Sequence, residues 1–356
     1  MAVLAKSDIA TSGQIASVWS TDLYSQAEDL TFWSRFEGPE GSGMPIIRKD
    51  DLEKQPGDTI KIDLVKAFTG NGAVGDTALL DGNEEKMAFT QFTFSVNSIQ
   101  HAARWSKLER ILNIHETRTA ALNQLAKWLA GRLDNRCFAT FTGETVNGFA
   151  PSLTVANLPT TMKWFAGSAT SVATVDNTDA AGRLKLNDLS DIKAYAQTTN
   201  RIEPLKMDGG DEFYGIVLHP YAALTLKKDT QYQQAFREAR ERGADNPLFR
   251  GALGVWDGVI MYASPRVPTA ADGVSSAVVA RNVFFGAQAQ VRGYAYYPDW
   301  VEQEFSYGQE QGVATFTVLG QRLASWDITG SGTVGDTDDT AIGAMILYSN
   351  ATAPTA

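Results

Sequence analysis

The residues whose spacing first suggests chemistry are Gly70, Gly72 and Gly75 in "TGNGAVGD", which follow the G-x-G-x-x-G order of a dinucleotide-binding turn. Such a turn holds a pyrophosphate when a strand delivers the glycines and a helix opens at the last of them, so that free N–H groups face the anion. Upstream, "DTIKIDLV" alternates Ile60, Ile62 and Leu64 with Lys61 and Asp63, the period of a half-buried strand. Downstream, Asp81-Gly82-Asn83 is turn chemistry, and Phe92, Phe94 and Val96 alternate with polar residues again. The glycines are therefore expected to join two strands of a long hairpin-like arm over residues 58–98, with an NAD enzyme as the remote alternative.

Other chemistry is equally incomplete. His101, His115 and His219 are the only 3 histidines, each in its own element with no H-x-x-x-H or cysteine companion, so no zinc site is expected. Cys137 lies in a helical pattern without a sequence neighbour that would activate a thiol, and reads as a small buried hydrophobe. Asp336, Asp338 and Asp339 carry part of a calcium-loop alternation without its closing glutamate, and Glu84-Glu85 sits at a hairpin shoulder, where acid–base work lacks a sheltered pocket. "GSGTVG" lacks the Lys-Ser/Thr ending of a phosphate-binding loop, and no G-x-S-x-G carries a serine. No catalytic residue, metal ligand or cofactor is expected, and the chain is not read as an enzyme.

The 356 residues suffice for one large domain or two to three smaller ones, and 44% hydrophobic with 20% charged residues is ordinary globular composition. No apolar run reaches the roughly 20 residues of a membrane helix, and the first residues lack a secretory pattern. The single cysteine excludes an internal disulfide, and a net charge of −10 argues against neutralising many phosphates as the main task.

Residues 1–47 read as a polar arm with aromatic anchors at Trp19, Tyr24, Phe32, Trp33 and Phe36, which either covers its own core or, the favoured reading, docks on a neighbouring subunit. From Trp105 to Phe141, Leu108, Ile111, Leu112, Leu122, Leu125, Leu129 and Leu133 recur at helical spacing, giving one helix of about 55 Å or two in tandem. Residues 142–183 are loop or short-strand material, and 185–265 alternate helix and strand, with Pro220 placed to open a helix and Asp257-Gly258 as a turn pair. Strand patterns return in "VFFGAQAQ", "VATFTVLGQRLASW" and "AIGAMILYS".

This order of parts, together with "IIRKDDLEKQPGDTIKIDLV" and "GNGAVGDTALLDGNEEKMAFTQFTFSVNSIQHA", resembles the major capsid proteins of tailed bacteriophages, with the shell fold of the HK-97 type. "GIVLHP", "NPLFRGALGVWDGVIM", "VFFGAQA" and "WVEQEFSYGQEQGVATFTVLG" extend the resemblance over most of residues 45–347. It implies an α+β fold with an N-terminal arm (1–47), an extended loop with flanking strands (48–104), a peripheral-domain spine helix and following loop (105–184), an axial domain (185–265), and return strands with a C-terminal strand (266–356).

The function implied is structural: a major capsid (coat) protein that self-assembles into an icosahedral head around double-stranded DNA, part of the virion and assembled in the host bacterial cytoplasm. An encapsulin-like compartment shell is the alternative. Implied partners are copies of the chain in hexameric and pentameric capsomers, portal and scaffolding proteins, decoration proteins, and packaged DNA through non-specific contact, with no membrane. The loop tip, Phe68, Gly70, Asn71, Gly72, Gly75 and Asp76, is expected to touch a neighbouring subunit. Arg118, Lys127, Arg132 and Arg136 of the long helix are expected to face the genome without reading bases. Neither Lys66 nor Lys86 matches the crosslinking lysine of some relatives, and the short arm from Met1 argues against a cleaved scaffolding segment, so a separate scaffold protein is expected.

Overall fold

The computed structural model describes residues 30–49, 59–65, 89–112, 117–177, 181–206, 212–234, 253–326 and 343–354, with Leu23, Tyr24, Gln26, Ala27, Glu84, Met87, Thr340 and Ala341 beside them. The strands are β1 (Glu37–Pro39), β2 (Ile46–Lys49), β3 (Thr59–Val65), β4 (Phe89–Ser95), β5 (Asn97–Ser106), β6 (Lys163–Phe165), β7 (Leu205–Lys206), β8 (Glu212–Leu218), β9 (Gly254–Trp256), β10 (Val259–Ala263), β11 (Thr269–Ala270), β12 (Val279–Phe285), β13 (Gln290–Phe305), β14 (Glu310–Leu323), β15 (Ser325–Trp326), β16 (Thr340–Ala341) and β17 (Ala344–Asn350). The helices are α1 (Lys107–Leu112), α2 (Thr117–Thr142), α3 (Leu186–Thr198) and α4 (Pro220–Lys228).

Two sheets dominate. A five-stranded sheet runs β1-β2-β13-β14-β5, and an eight-stranded mixed sheet runs β6-β17-β12-β8-β10-β9, with β11 and β7 on its flanks. The β13–β14 ribbon, 16 and 14 residues long, reaches roughly 50 Å at about 3.4 Å per residue. Its register slips between Tyr294 and Asp299, where Pro298 has no N–H to give the ladder. Strands β12 and β17 are buried at every position because both faces are covered. Leu189, Ile192, Ala223 and Leu226 of α3 and α4 lie against Ile216, Phe284 and Leu347 on one side. Phe138, Phe141 and Trp33 meet Val283, Phe285 and Ile346 on the other.

Helix α2 belongs to both cores. Its first half buries Leu122, Leu125, Leu129 and Leu133 with Ile99, Trp300, Val313 and Leu319 of the five-stranded sheet. Its last turns place Cys137, Phe138 and Phe141 beside the eight-stranded sheet. The helical pattern from Trp105 resolves into two helices, and Trp105 itself belongs to β5, whose ladder with β14 runs on to Ser106 opposite Glu310. Sheet pairing therefore outweighs helical periodicity there. A capping box then opens α1: Ser106 N–H donates to Glu109 Oε2 at 2.8 Å and Glu109 N–H to Ser106 Oγ at 3.1 Å. Leu108, Ile111 and Leu112 are exposed, not core residues.

The two ways of placing the arm's aromatics are decided for those described. Trp33 and Phe36 are buried within their own chain, Trp33 lying 5.2 Å from Phe138, 5.0 Å from Phe141 and 5.5 Å from Phe285 between ring centres. Docking on a neighbour is not what covers them; Trp19 lies outside the described residues.

The hairpin expected over 58–98 is present at its base, where β3 and β4 pair antiparallel from Thr59–Ser95 to Val65–Phe89. It crosses the five-stranded sheet where Gly293 of β13 stands opposite Gly320 of β14. A Cβ on Gly320 would lie 2.7 Å from the Ser95 carbonyl and 2.8 Å from the Phe94 ring, so the two glycines leave a flat seat for Ile60 and Phe94. Ile60, Ile62 and Phe94 are buried there with Val291. Gly320→Val should lift the hairpin base and destabilise the subunit by roughly 1–3 kcal/mol, the usual cost of overpacking. Denaturant unfolding of the variant beside the parent measures this; an unchanged midpoint would contradict the seat.

Candidate functional site

The glycine loop can be judged from its flanks. The described elements on either side of it are strands that pair antiparallel with each other, whereas a dinucleotide site needs a strand feeding a helix within a parallel unit. The tip residues Phe68, Gly70, Asn71, Gly72, Gly75 and Asp76 lie outside the described residues, as do His115 and the Asp336–Asp339 run. Among the described residues no group of three or more His, Cys, Asp or Glu could hold a metal, and no helix is long and apolar enough to cross a membrane. His101 stacks on Trp128 with 4.5 Å between ring centres.

The four basic residues of α2 do not form one exposed stripe. Arg118 is engaged by Glu302, its Nε donating to Oε1 at 2.7 Å. Lys127 is exposed. Arg132 is half-buried and donates from Nη1 to the Asn147 carbonyl at 2.5 Å. Arg136 is not an exposed cation of the helix. It is 4% exposed, donates from Nη2 to the Leu319 carbonyl at 3.1 Å and stacks 4.4 Å from the Phe149 ring. Burial, then repulsion from Arg292, lowers its pKa to about 10, which leaves it a cation at neutral pH. The approach of β14 buries the helix at Arg136.

A buried polar set beside Arg136 was not legible as such. Arg292, 2% exposed, pairs with Glu37 at 2.5 Å and donates to the Cys137 sulfur, which also accepts from Gln321. Cys137 is fully buried, as expected, but it is an acceptor within this set rather than a purely apolar filler. Burial pushes its thiol up to about 11 against the pull of Arg292, so it is no nucleophile. The one sequence signal for this region was Asn147-Gly148, a two-residue turn pair. Both residues are left-handed, at φ 48° and 79°, and Val146 bridges Phe149 across them.

The outer surface carries two further features. Leu108, Ile111 and Leu112 stand exposed on α1, and Tyr307 is fully exposed at the β13–β14 tip. Lys107 N–H donates to the Gln309 carbonyl at 2.7 Å, so α1 and that tip are held together.

A hairpin base crossing a long-ribboned sheet and a helix shared by two cores are the main features of the described fold. The fold matches the capsid of Ralstonia phage GP4, with a TM-score of 0.75, 22% identity and 92% of each chain covered. It also matches the Cyanophage Pam1 capsid, with a TM-score of 0.71, 20% identity, 90% of this chain and 92% of that one. The fold is of the HK-97 type. The phage capsid protein family model matches residues 11–351, and the chain belongs to that family. It is 30% identical to the major capsid protein of Pseudomonas phage KPP25, covering 85% of this chain and 88% of that relative. The family is structural, and the chain is a head-shell protein of the virion rather than an enzyme.

Two outcomes test these assignments. Cys137→Ala should cost about 1–3 kcal/mol, because it strands two buried donors as well as opening a small cavity, and Cys137 should resist alkylation until the protein unfolds. Rapid labelling of the native protein would contradict this. His219 caps α4, its Nδ1 accepting the Tyr221 N–H at 3.3 Å, and burial holds its pKa below the ordinary 6.5. A lowered histidine pKa means the folded state binds fewer protons, so its contribution is present above about 6.5 and is lost as pH falls through that value. Melting of His219→Asn should therefore fall less than the parent's between neutral and mildly acidic pH; parallel curves would contradict the capping role.

Proposed function

We propose that copies of this chain close an icosahedral phage head as hexameric and pentameric capsomers around double-stranded DNA, assembled in the host cytoplasm. The observation that carries the mode of assembly is α1, where three large apolar residues stand in solvent on a six-residue helix. Contiguous exposed apolar surface marks a protein contact, and for a shell protein the partner is another copy. In this reading the five-stranded sheet with α2 serves as the peripheral domain and the eight-stranded sheet as the axial domain. The arm continuing from β3 and β4 reaches the neighbour through Phe68, Gly70, Asn71, Gly72, Gly75 and Asp76. A separate scaffold protein aids closure, a portal occupies one vertex, and decoration proteins are added outside. DNA contact is non-specific, through Lys127 and Arg132 among others, as suits a chain of net charge −10.

Leu108→Ser with Ile111→Ser should leave the isolated subunit's melting temperature within about 2 °C, because surface changes away from packed features alter stability little. The same variant should lose closed shells in negative-stain images. Normal shells would overturn the α1 contact. Shortening residues 68–82 to a two-residue turn tests the loop contact in the same way.

A further inference from the structure

A cavity of about 180 Å³ lies between α2, the start of β5 and the 146–149 turn, and its walls include Asn97, Ser98, Arg132, Asn135, Arg136 and Phe149. None of its described lining residues is acidic. Two guanidinium groups one helical turn apart thus line one pocket with amide and hydroxyl donors and no carboxylate to balance them.

Each cation is also held in place. The Asn147-Gly148 turn presents the Asn147 carbonyl to Arg132, and the Phe149 ring and the Leu319 carbonyl fix Arg136. Arg136 is 4% exposed, and its Nε finds no acceptor among the described residues. A buried cationic group lacking part of its hydrogen bonding is costly unless something anionic completes it. The repulsion Arg136 feels from Arg292 and Arg132 has the same sign.

We infer that this pocket is a binding site for a phosphate group. Planar guanidinium forks set beside neutral donors suit an oxyanion with several oxygens, and arginine is the side chain best matched to phosphate. The group can come from a free phosphate ion or from a phosphodiester of nucleic acid, which is where the site deepens the shell reading. The site itself does not depend on that reading, because binding can be measured on the unassembled subunit.

The test compares melting of the full-chain subunit in sodium phosphate and in sodium chloride of equal ionic strength. Phosphate should raise the parent's melting temperature by at least about 2 °C over chloride, as a ligand of the folded state does. Arg132→Gln, whose side chain is half-buried, should lose at least half of that shift, and Arg136→Gln is the second variant. No phosphate-specific shift, or an equal shift in Arg132→Gln, would overturn the site. A second arm titrates a short mixed-sequence DNA duplex followed by fluorescence anisotropy. Competition by phosphate, weaker in Arg132→Gln, assigns the phosphodiester; a phosphate shift without competition assigns the free ion; both outcomes support a phosphate site.

Discussion

The structure turns on one buried carboxylate. Asp134 of α2 is fully buried and accepts the backbone N–H groups of Phe32 at 3.0 Å and Trp33 at 3.2 Å, while Arg266 pairs with it from the segment after β10. Burial raises its pKa, and the two N–H donors and Arg266 oppose that rise. A charge so placed is tolerable only where its oxygens are satisfied, so it fixes three things together: the segment at Phe32 and Trp33, α2 and the eight-stranded sheet. Seating Phe32 and Trp33 there packs Trp33 among Phe138, Phe141 and Phe285, and Phe36 against Phe285. The chain leaves this anchor directly into β1 and β2, on the edge of the other sheet.

A subunit that must tile a shell needs a frame that does not shear when neighbours pull on its extensions. Here the two sheets meet through α2, whose leucines serve one core and whose phenylalanines serve the other. Ion pairs reinforce the seam: the buried Arg292 with Glu37 beneath the first sheet, and the buried Arg281 with the more exposed Glu144 and Asp272 beside the second. The hairpin that extends from this frame is seated at its base over Gly293 and Gly320. Force applied to β3 and β4 would therefore reach strands that α2 supports.

Much of this frame was legible from period and turn chemistry. Alternation in "DTIKIDLV" and around Phe92–Val96 gave two strands that pair, and Pro220 and Asp257-Gly258 stand where expected, the latter at φ 48° and 74°. What escaped was set by partners far along the chain. Trp105 reads as helix until β14 pairs with it, Arg136 reads as surface until β14 and Phe149 cover it, and Cys137 reads as apolar until Arg292 and Gln321 reach it. The aromatics of residues 32–36 could not reveal whose core they enter, since the residues that receive them, Phe138 and Phe285, lie more than a hundred positions away.

The central claim is that α2, anchored at Asp134, makes the two sheets one cooperative unit. Native-state hydrogen exchange of the isolated subunit reads this most directly, because independently opening regions exchange with separate free energies. The account predicts that the slowest amides of β12 and β17, of β14, and of α2 from Leu129 to Phe141 exchange together, with one shared dependence on denaturant. Exchange of the five-stranded sheet at a distinctly lower free energy, with α2 protection following only the other sheet, would contradict it.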